Sequence, residues 1–352
     1  MLVPSVKKQS IADAVRMDAH PIMDYYALQS ALNADLLDYS SLEAENSPKL
    51  ARFARRFGKD AALAALGYTQ RKEYDIIYTN GENVGIPLAA LLKRHLHRPG
   101  HVLIGHKVST GKKRLLLRGL QAQMDAIFVY ASTQYDFARQ NLGIPASKLY
   151  LIPFHADHQF YRPMPPLPDA PARMICSAGL EWRDYPTLIE AVRGLDVETR
   201  LAAASPWSKH HNETENRDLP PNVSARRYEY AELRQLYADS RFVVVPLYEN
   251  DFQAGITTIL EGMAMGKAII TTRTTGQRDT VRHDENGLYV APGDVQGWRA
   301  AITRLLENPA LAERMGQQAR KDIEDSMSLE HWVERIAAVT HNLYAQRTAR
   351  AV

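Results

Sequence analysis

The sequence predicts an α/β protein built on two doubly wound parallel sheets. Three observations carry that prediction. Short β-branched runs alternate with helical patterns along the chain, as strand–helix–strand crossovers require. The 352 residues exceed one core at about 150 residues per domain. The proline-richest stretch, DHQFYRPMPPLPDAPA at 157–172, interrupts the alternation near its middle, since proline removes helix and ladder donors.

In the first half the strand-like runs are MLVPS, ADLLDY, YDIIYT, HVLIG, AIFVY and LYLIP. Helical patterns lie between them at MDYYALQSAL, NVGIPLAALLKRHL and TQYDFARQNL; Ser132 is placed to cap the last and Gly143 to stop it. The proline-rich stretch reads as the interdomain linker. Beyond it, RMICSAG, ETRLAAA, NVSARR, RFVVVPL, KAIITT and GLYVAP read as strands. The helices here are YPTLIEAVRGL, YAELRQLYAD, one after Gly255, DVQGWRAAITRLLE, and PALAERMGQQARKDIE behind Asn308. The last pattern, SLEHWVERIAAVTHNLYAQR, is capped by Ser328 and long enough to leave its own domain. The expected division is an N-terminal Rossmann-like domain, 1–163, that the C-terminal helix (about 328–352) rejoins, and a second such domain, 164–327. Ligands of such sheets bind at the carboxyl ends of the strands, and a cleft between two of them is the natural active site.

Composition is ordinary for a globular protein, at 45% hydrophobic and 24% charged. No apolar run approaches the roughly 18–20 residues of a membrane span. MLVPSVKKQSIADAV lacks the apolar core of a signal peptide, and the single Cys176 fits a reducing cytoplasm as a buried, inert thiol. The net charge of +3 divides unevenly: residues 1–165 hold 21 Lys/Arg against 14 Asp/Glu, and the rest 22 against 26. The basic excess gathers in LLKRHLHRPGHVLIGHKVSTGKKRLLLR, 91–118. It is either a solvated basic surface or an attractor of anionic partners, with peripheral contact to an anionic membrane as one expectation. Without interleaved aromatics it does not read as a nucleic-acid site. No metal is expected: His210 and His211 sit in a polar loop, and no Asp-x-Asp stands near a strand end.

The stretch DFQAGITTILEGMAMGKAIITT, 251–272, carries the chemistry. Ile256, Ile259, Leu260, Met263 and Ala264 fall on one helical face as core, while Thr257, Thr258 and Glu261 share the other. The helix start exposes unpaired N–H groups and partial positive charge, which suits a diphosphate, and Gly255 permits close approach. A carboxylate one turn on can accept from a ribose diol; the plainer reading has Glu261 complementing the helix dipole.

LEGMAMGKAIITT (260–272) closely resembles the EAMA-x-G-x-P-V run of retaining GT-B glycosyltransferases, family four in particular. PLYEND (246–251), TTGQRDTVRHDENGLYVAPGD (274–294), SAGLEWRDYPTLIEA (177–191) and LIPFHADHQFYRP (151–163) resemble further motifs of that family, in the same order. The resemblance implies two Rossmann-like domains facing across a cleft. It also implies transfer, with retention, of a sugar from a nucleoside diphosphate, UDP before GDP, to a hydroxyl of a glycan, lipid or small molecule. Beyond that donor no cofactor is implied. Carried over, Glu261 would hold the ribose hydroxyls and Arg183 the diphosphate. The amides of Gly255, Ile256 and Thr257 would face the β-phosphate. His106 would contact the donor sugar across the cleft, and Arg227 and Tyr228 would meet the base. Departures stand beside these matches. The family's first glutamate is Gln253, its loop arginine is Leu180, its glycine is shifted at Gly255, and PSVKKQSIAD lacks the Gly-Gly turn. They leave open an altered donor, a weakened catalyst, a nucleotide- or glycan-binding subunit, or an epimerase or hydrolase on the same plan. A dinucleotide dehydrogenase is disfavoured, since no Gly-x-Gly-x-x-Gly follows a strand.

Overall fold

The computed structural model describes residues 1–6, 9–95, 97–203 and 219–351; His210 and His211 lie outside them. Two compact units divide the chain. The first comprises Met1–Ala12, Met23–Ile152 and Trp332–Val352, and the second Asp13–Ile22 and Pro153–His331.

In the first unit β1 (Ile76–Asn80), β2 (Gly100–Gly105), β3 (Ala126–Val129) and β4 (Leu149–Leu151) form a parallel sheet in that order. The expected strands MLVPS and ADLLDY are reduced to single bridges, Leu2 pairing with both Leu37 and Thr79. Their sequences explain this. Pro4 has no N–H to continue a ladder, and Asp38 at once caps the helix Tyr39–Ala44 in a capping box with Ser41. Helices Pro48–Phe57, Lys59–Thr69 and Gly111–Leu120 stand where no helix was expected. Extended backbone runs on through Ala131, so Ala131 rather than Ser132 occupies the N-cap of Ser132–Gln140.

In the second unit β5 (Met174–Ala178), β6 (Glu198–Ala202), β7 (Val223–Ala225), β8 (Val243–Val245), β9 (Ile269–Thr272) and β10 (Gly287–Val290) are all parallel, ordered β10-β9-β8-β5-β6-β7. The chain winds outward from β5 to β7, then returns to β8 on the other side of β5. Order therefore reverses between β5 and β8. Both faces of the sheet are covered: Met174, Cys176, Val243 and Val245 pack in one cluster, Ile175 and Val244 in the other. Alternate residues of one strand point to opposite cores, which is why these strands read as unbroken apolar runs. Burial pushes the Cys176 thiol up to about 12, an inert group.

The boundary falls at Ile152/Pro153 rather than 163/164. Phe160 and Tyr161 are buried in the second unit's core, and the Asp157 carboxylate accepts from the amides of Gln159 and Phe160, each at 3.1 Å. The front of the presumed linker is thus core. The last helix, Leu329–Ala351, starts in the second unit with Ser328 accepting from His331 N–H at 3.2 Å. From Trp332 it belongs to the first unit, where the Trp332 indole donates to the Tyr130 hydroxyl at 3.3 Å and Arg347 to the Arg98 carbonyl.

Candidate functional site

The reversal between β5 and β8 places two loops side by side at the carboxyl edge of the second sheet. Beyond Ala178 the chain turns at Gly179 (φ 88) and reaches Arg183, which pairs antiparallel with Leu247 beyond β8. Asp184 N–H adds a bond to the Pro246 carbonyl at 3.1 Å. The Arg183 side chain is 7% exposed. Its Nε donates to the Ala178 carbonyl (2.8 Å), Nη1 to the Glu181 carbonyl (2.8 Å) and Nη2 to Thr258 Oγ1 (3.1 Å). Among the described residues no carboxylate pairs with it at ion-pair distance. Burial lowers its pKa, opposed by Tyr185, Tyr237, Glu181 and Glu261. A guanidinium stays charged regardless, so this corner holds a buried cation with no carboxylate at ion-pair distance among the described residues.

Two glycines make room for it. A Cβ on Gly179 would lie 2.6 Å from Nη2, and one on Gly255 3.3 Å from Nη1 and 2.8 Å from Val245 Cγ1. Gly255 also holds φ 75 as N-cap of the helix Ile256–Ala264. Gly255→Ala is therefore expected to cost about 1–3 kcal/mol of stability. An unchanged urea midpoint would show that the loop relaxes around the methyl group.

No side chain caps that helix. Of the amides assigned to a phosphate, Ile256 N–H is turned to the Gln253 carbonyl at 3.3 Å, and Thr257 is exposed. The Gln253 side chain is half-buried, and its Oε1 is buried without a partner among the described residues. Gln277, which the sequence reading passed over, is fully buried, donates to the Ala254 carbonyl at 3.1 Å, and likewise leaves Oε1 unpartnered.

Glu261 requires a correction. The expected polar face of the helix does not exist, because every residue from Thr258 to Ala264 is buried. Glu261 is 8% exposed and accepts from the Tyr237 hydroxyl at 2.7 Å. Phe160 and Tyr161, brought in by the misread linker, pack in the same cluster as Tyr237, and the Tyr161 hydroxyl lies beside the carboxylate. Burial raises the Glu261 pKa to about 7, against the tyrosine hydroxyls and Arg183, which lower it. Tyr237 and Tyr161 were invisible as partners because they come from elements 24 and 100 residues away.

The side chains assigned to the base diverge. Arg227 stands in solvent, 3.7 Å from Glu229, while the Tyr228 ring carries the Arg226 guanidinium at 3.6 Å. Leu180, in place of the family arginine, packs against the second core cluster.

In the first unit His106 follows β2 at the carboxyl edge of its sheet. It is exposed, its Nε2 lies 3.3 Å from Asn80 Oδ1, and its ring centroid is 5.8 Å from that of Tyr130. Buried Glu82 accepts from Lys107 N–H at 2.6 Å, tying the loops after β1 and β2. The run TNGEN at the end of a strand was the available signal for Asn80 and Glu82. Among the described residues no His, Cys, Asp and Glu cluster suits a metal, and no helix is long and apolar enough to cross a membrane.

Residues 161–322 match the family described as glycosyl transferases group 1. They form a group 1 glycosyltransferase domain. An MMP alpha-(1->4)-mannosyltransferase from Mycolicibacterium hassiacum is 24% identical over 324 residues, 84% of this chain and 76% of that protein. A glycosyltransferase from Rickettsia africae superposes with TM-score 0.71 at 16% identity, over 97% of each chain. HepE from Anabaena, solved with UDP and glucose, superposes with TM-score 0.67 at 16% identity, over 97% of this chain and 98% of that one. The chain thus shares the GT-B fold with both structures, and the candidate site lies at its second Rossmann-like sheet.

Proposed function

We propose that the glycosyltransferase moves a hexosyl group, with retention, from a nucleoside-diphosphate sugar to a hydroxyl acceptor such as a glycan, lipid or small molecule. A UDP-sugar is the first choice of donor and a GDP-sugar the second. One observation carries the donor reading. Among the described residues Arg183 is a buried cation with no carboxylate at ion-pair distance, set beside the uncapped start of the helix behind Gly255. Such a corner is stabilised by an anion, and a diphosphate offers charge to both the fork and the amides. Glu261 is the acceptor within the same domain for the ribose hydroxyls. Gln253 Oε1, without a partner among the described residues, suits a hydroxyl donor on the sugar. As the glycosidic bond breaks, charge grows on the leaving diphosphate, and prepositioned N–H donors stabilise it there. The role proposed for His106 is on the donor sugar.

Incubation with UDP-hexoses and GDP-hexoses and a panel of hydroxyl acceptors tests this. A heavier acceptor by mass spectrometry, with the donor's anomeric configuration by NMR, is expected. Free sugar alone would mark a hydrolase, an altered sugar nucleotide an epimerase, and nucleotide binding without any product a binding subunit. That last reading draws on Gln253 and on Leu180, which removes a cation from the loop.

Contact with an anionic membrane, from a cytoplasmic location, is the proposed peripheral role of 91–118. Helix Gly111–Leu120 supports it, exposing Leu115 (66%) and Leu116 (50%) among Lys112, Arg114 and Arg118. Helix Pro48–Phe57 adds Lys49, Arg52, Arg55 and Arg56 with an exposed Phe57. Sedimentation with phosphatidylglycerol vesicles is expected at low salt and to fall steeply by 0.5 M. Equal sedimentation with neutral vesicles would remove the electrostatic basis.

A further inference from the structure

Residues Asp13–Ile22 belong to the second unit although the chain on both sides belongs to the first. Their attachment is specific. Asp18, at φ 55, accepts through Oδ2 from Arg162 (2.7 Å) and through Oδ1 from Arg234 (2.9 Å). Its carbonyl accepts from Arg234 Nη2 at 3.2 Å, and Arg234 in turn lies over the Phe160 ring at 4.3 Å. Four residues on, Ile22 N–H donates to Asp157 Oδ2 at 2.7 Å. The turn is thereby pinned at both ends. Between the pins His20 sets its ring on Tyr230, centroids 4.2 Å apart.

Tyr230 opens the helix Tyr230–Asp239 just beyond β7, at the carboxyl edge of the sheet. Tyr237, two turns along that helix, is the group that holds Glu261. Burial raises the Tyr230 pKa, and the Glu261 charge adds to the shift. Arg226, Arg227 and Tyr228 immediately precede this helix. His20 therefore packs on the first residue of the helix whose Tyr237 holds Glu261, the group proposed for the ribose.

The ring offers one defined group there. Its Nδ1 lies 2.7 Å from the Pro21 carbonyl oxygen. A carbonyl only accepts, so Nδ1 carries a proton, and in the neutral tautomer with that proton the lone pair is on Nε2. An acceptor of that kind pairs with the ring N–H of uracil or guanine. Cytosine and adenine present a lone pair at the matching position.

We propose that His20 recognises the nucleobase of the donor, selecting bases with a ring N–H through Nε2, an inference that rests on the nucleotide-sugar function proposed above. Residue 20 lies outside the 161–322 family match, so the selection is a property of this chain's N-terminal segment.

Calorimetry on the full chain with UDP, GDP, CDP and ADP tests it. UDP and GDP are expected to bind about tenfold tighter than CDP and ADP, the scale of one hydrogen bond gained and one lone-pair clash avoided. His20→Phe keeps a ring on Tyr230 and removes Nε2; it should bring the four affinities within about threefold. His20→Gln, whose amide oxygen is an acceptor, should recover part of the preference, and Glu261→Ala should weaken all four alike. A preference that survives in folded His20→Phe, or is absent from the wild type, overturns the proposal. If the wild type binds none of the four, the donor reading itself fails, a result distinct from a lost preference.

Discussion

Arg183→Ala is expected to lower turnover about 10²- to 10³-fold, the loss typical when one preorganised donor to a developing anion is removed. The side chain makes three hydrogen bonds inside the site, to the Ala178 and Glu181 carbonyls and to Thr258. A guanidinium has five N–H donors, so two remain for a diphosphate. Its stem and fork already occupy the space between Gly179 and Gly255, and no reorganisation is needed as charge develops. Arg183→Lys should recover little, because an ammonium cannot hold the two carbonyls and Thr258 and still face a phosphate. The truncation also strips Thr258 and two carbonyls of a donor, so stability must be followed alongside rate. A folded Arg183→Ala protein with a turnover number within a few-fold of wild type would place the leaving group elsewhere.

Glu261 is expected to couple the site to pH as well as to nucleotide. Glu261→Ala is expected to weaken UDP binding by on the order of 1–3 kcal/mol, as for hydrogen bonds to a charged group. Calorimetry reads this directly, and an unchanged affinity would mean that no ribose reaches the carboxylate. The second effect follows from the pKa, raised by burial from 4.5 to about 7. Below pH 4.5 folded and unfolded chains both carry the proton. Between 4.5 and 7 the unfolded chain releases it while the folded one does not, so stability falls as pH rises, and it levels off above 7. The full drop is about 3 kcal/mol, from 1.36 kcal/mol per pKa unit. Glu261→Gln is neutral throughout and escapes it. Relative to wild type, the glutamine variant should gain stability between pH 5 and pH 8, measured as urea midpoints. An equal difference at both pH values would show a carboxylate already ionised in the folded protein.

The legible parts of the molecule are those whose cause is local. The central strands of the second unit, in RMICSAG, RFVVVPL and KAIITT, announced themselves as apolar runs because both faces of their sheet are covered. Asn308 caps its helix through Leu311 N–H at 3.0 Å, and Gly255 opens another, as their neighbours alone require. The same locality misled at the N-terminus. MLVPS has strand composition, yet Leu2 finds partners only at single positions and Pro4 closes the ladder.

The sequence by itself determined the two-sheet α/β plan, the Gly255 helix start and the glycosyltransferase character of the second half, since each rests on neighbouring residues and backbone preference. Tertiary structure alone decided that Glu261 is buried against tyrosines, that Phe160 and Tyr161 of the presumed linker are core, and that Asp13–Ile22 belongs to the second unit. Burial and pKa depend on which distant side chains displace water, and residues 161 and 237 meet Glu261 only after the chain between has folded.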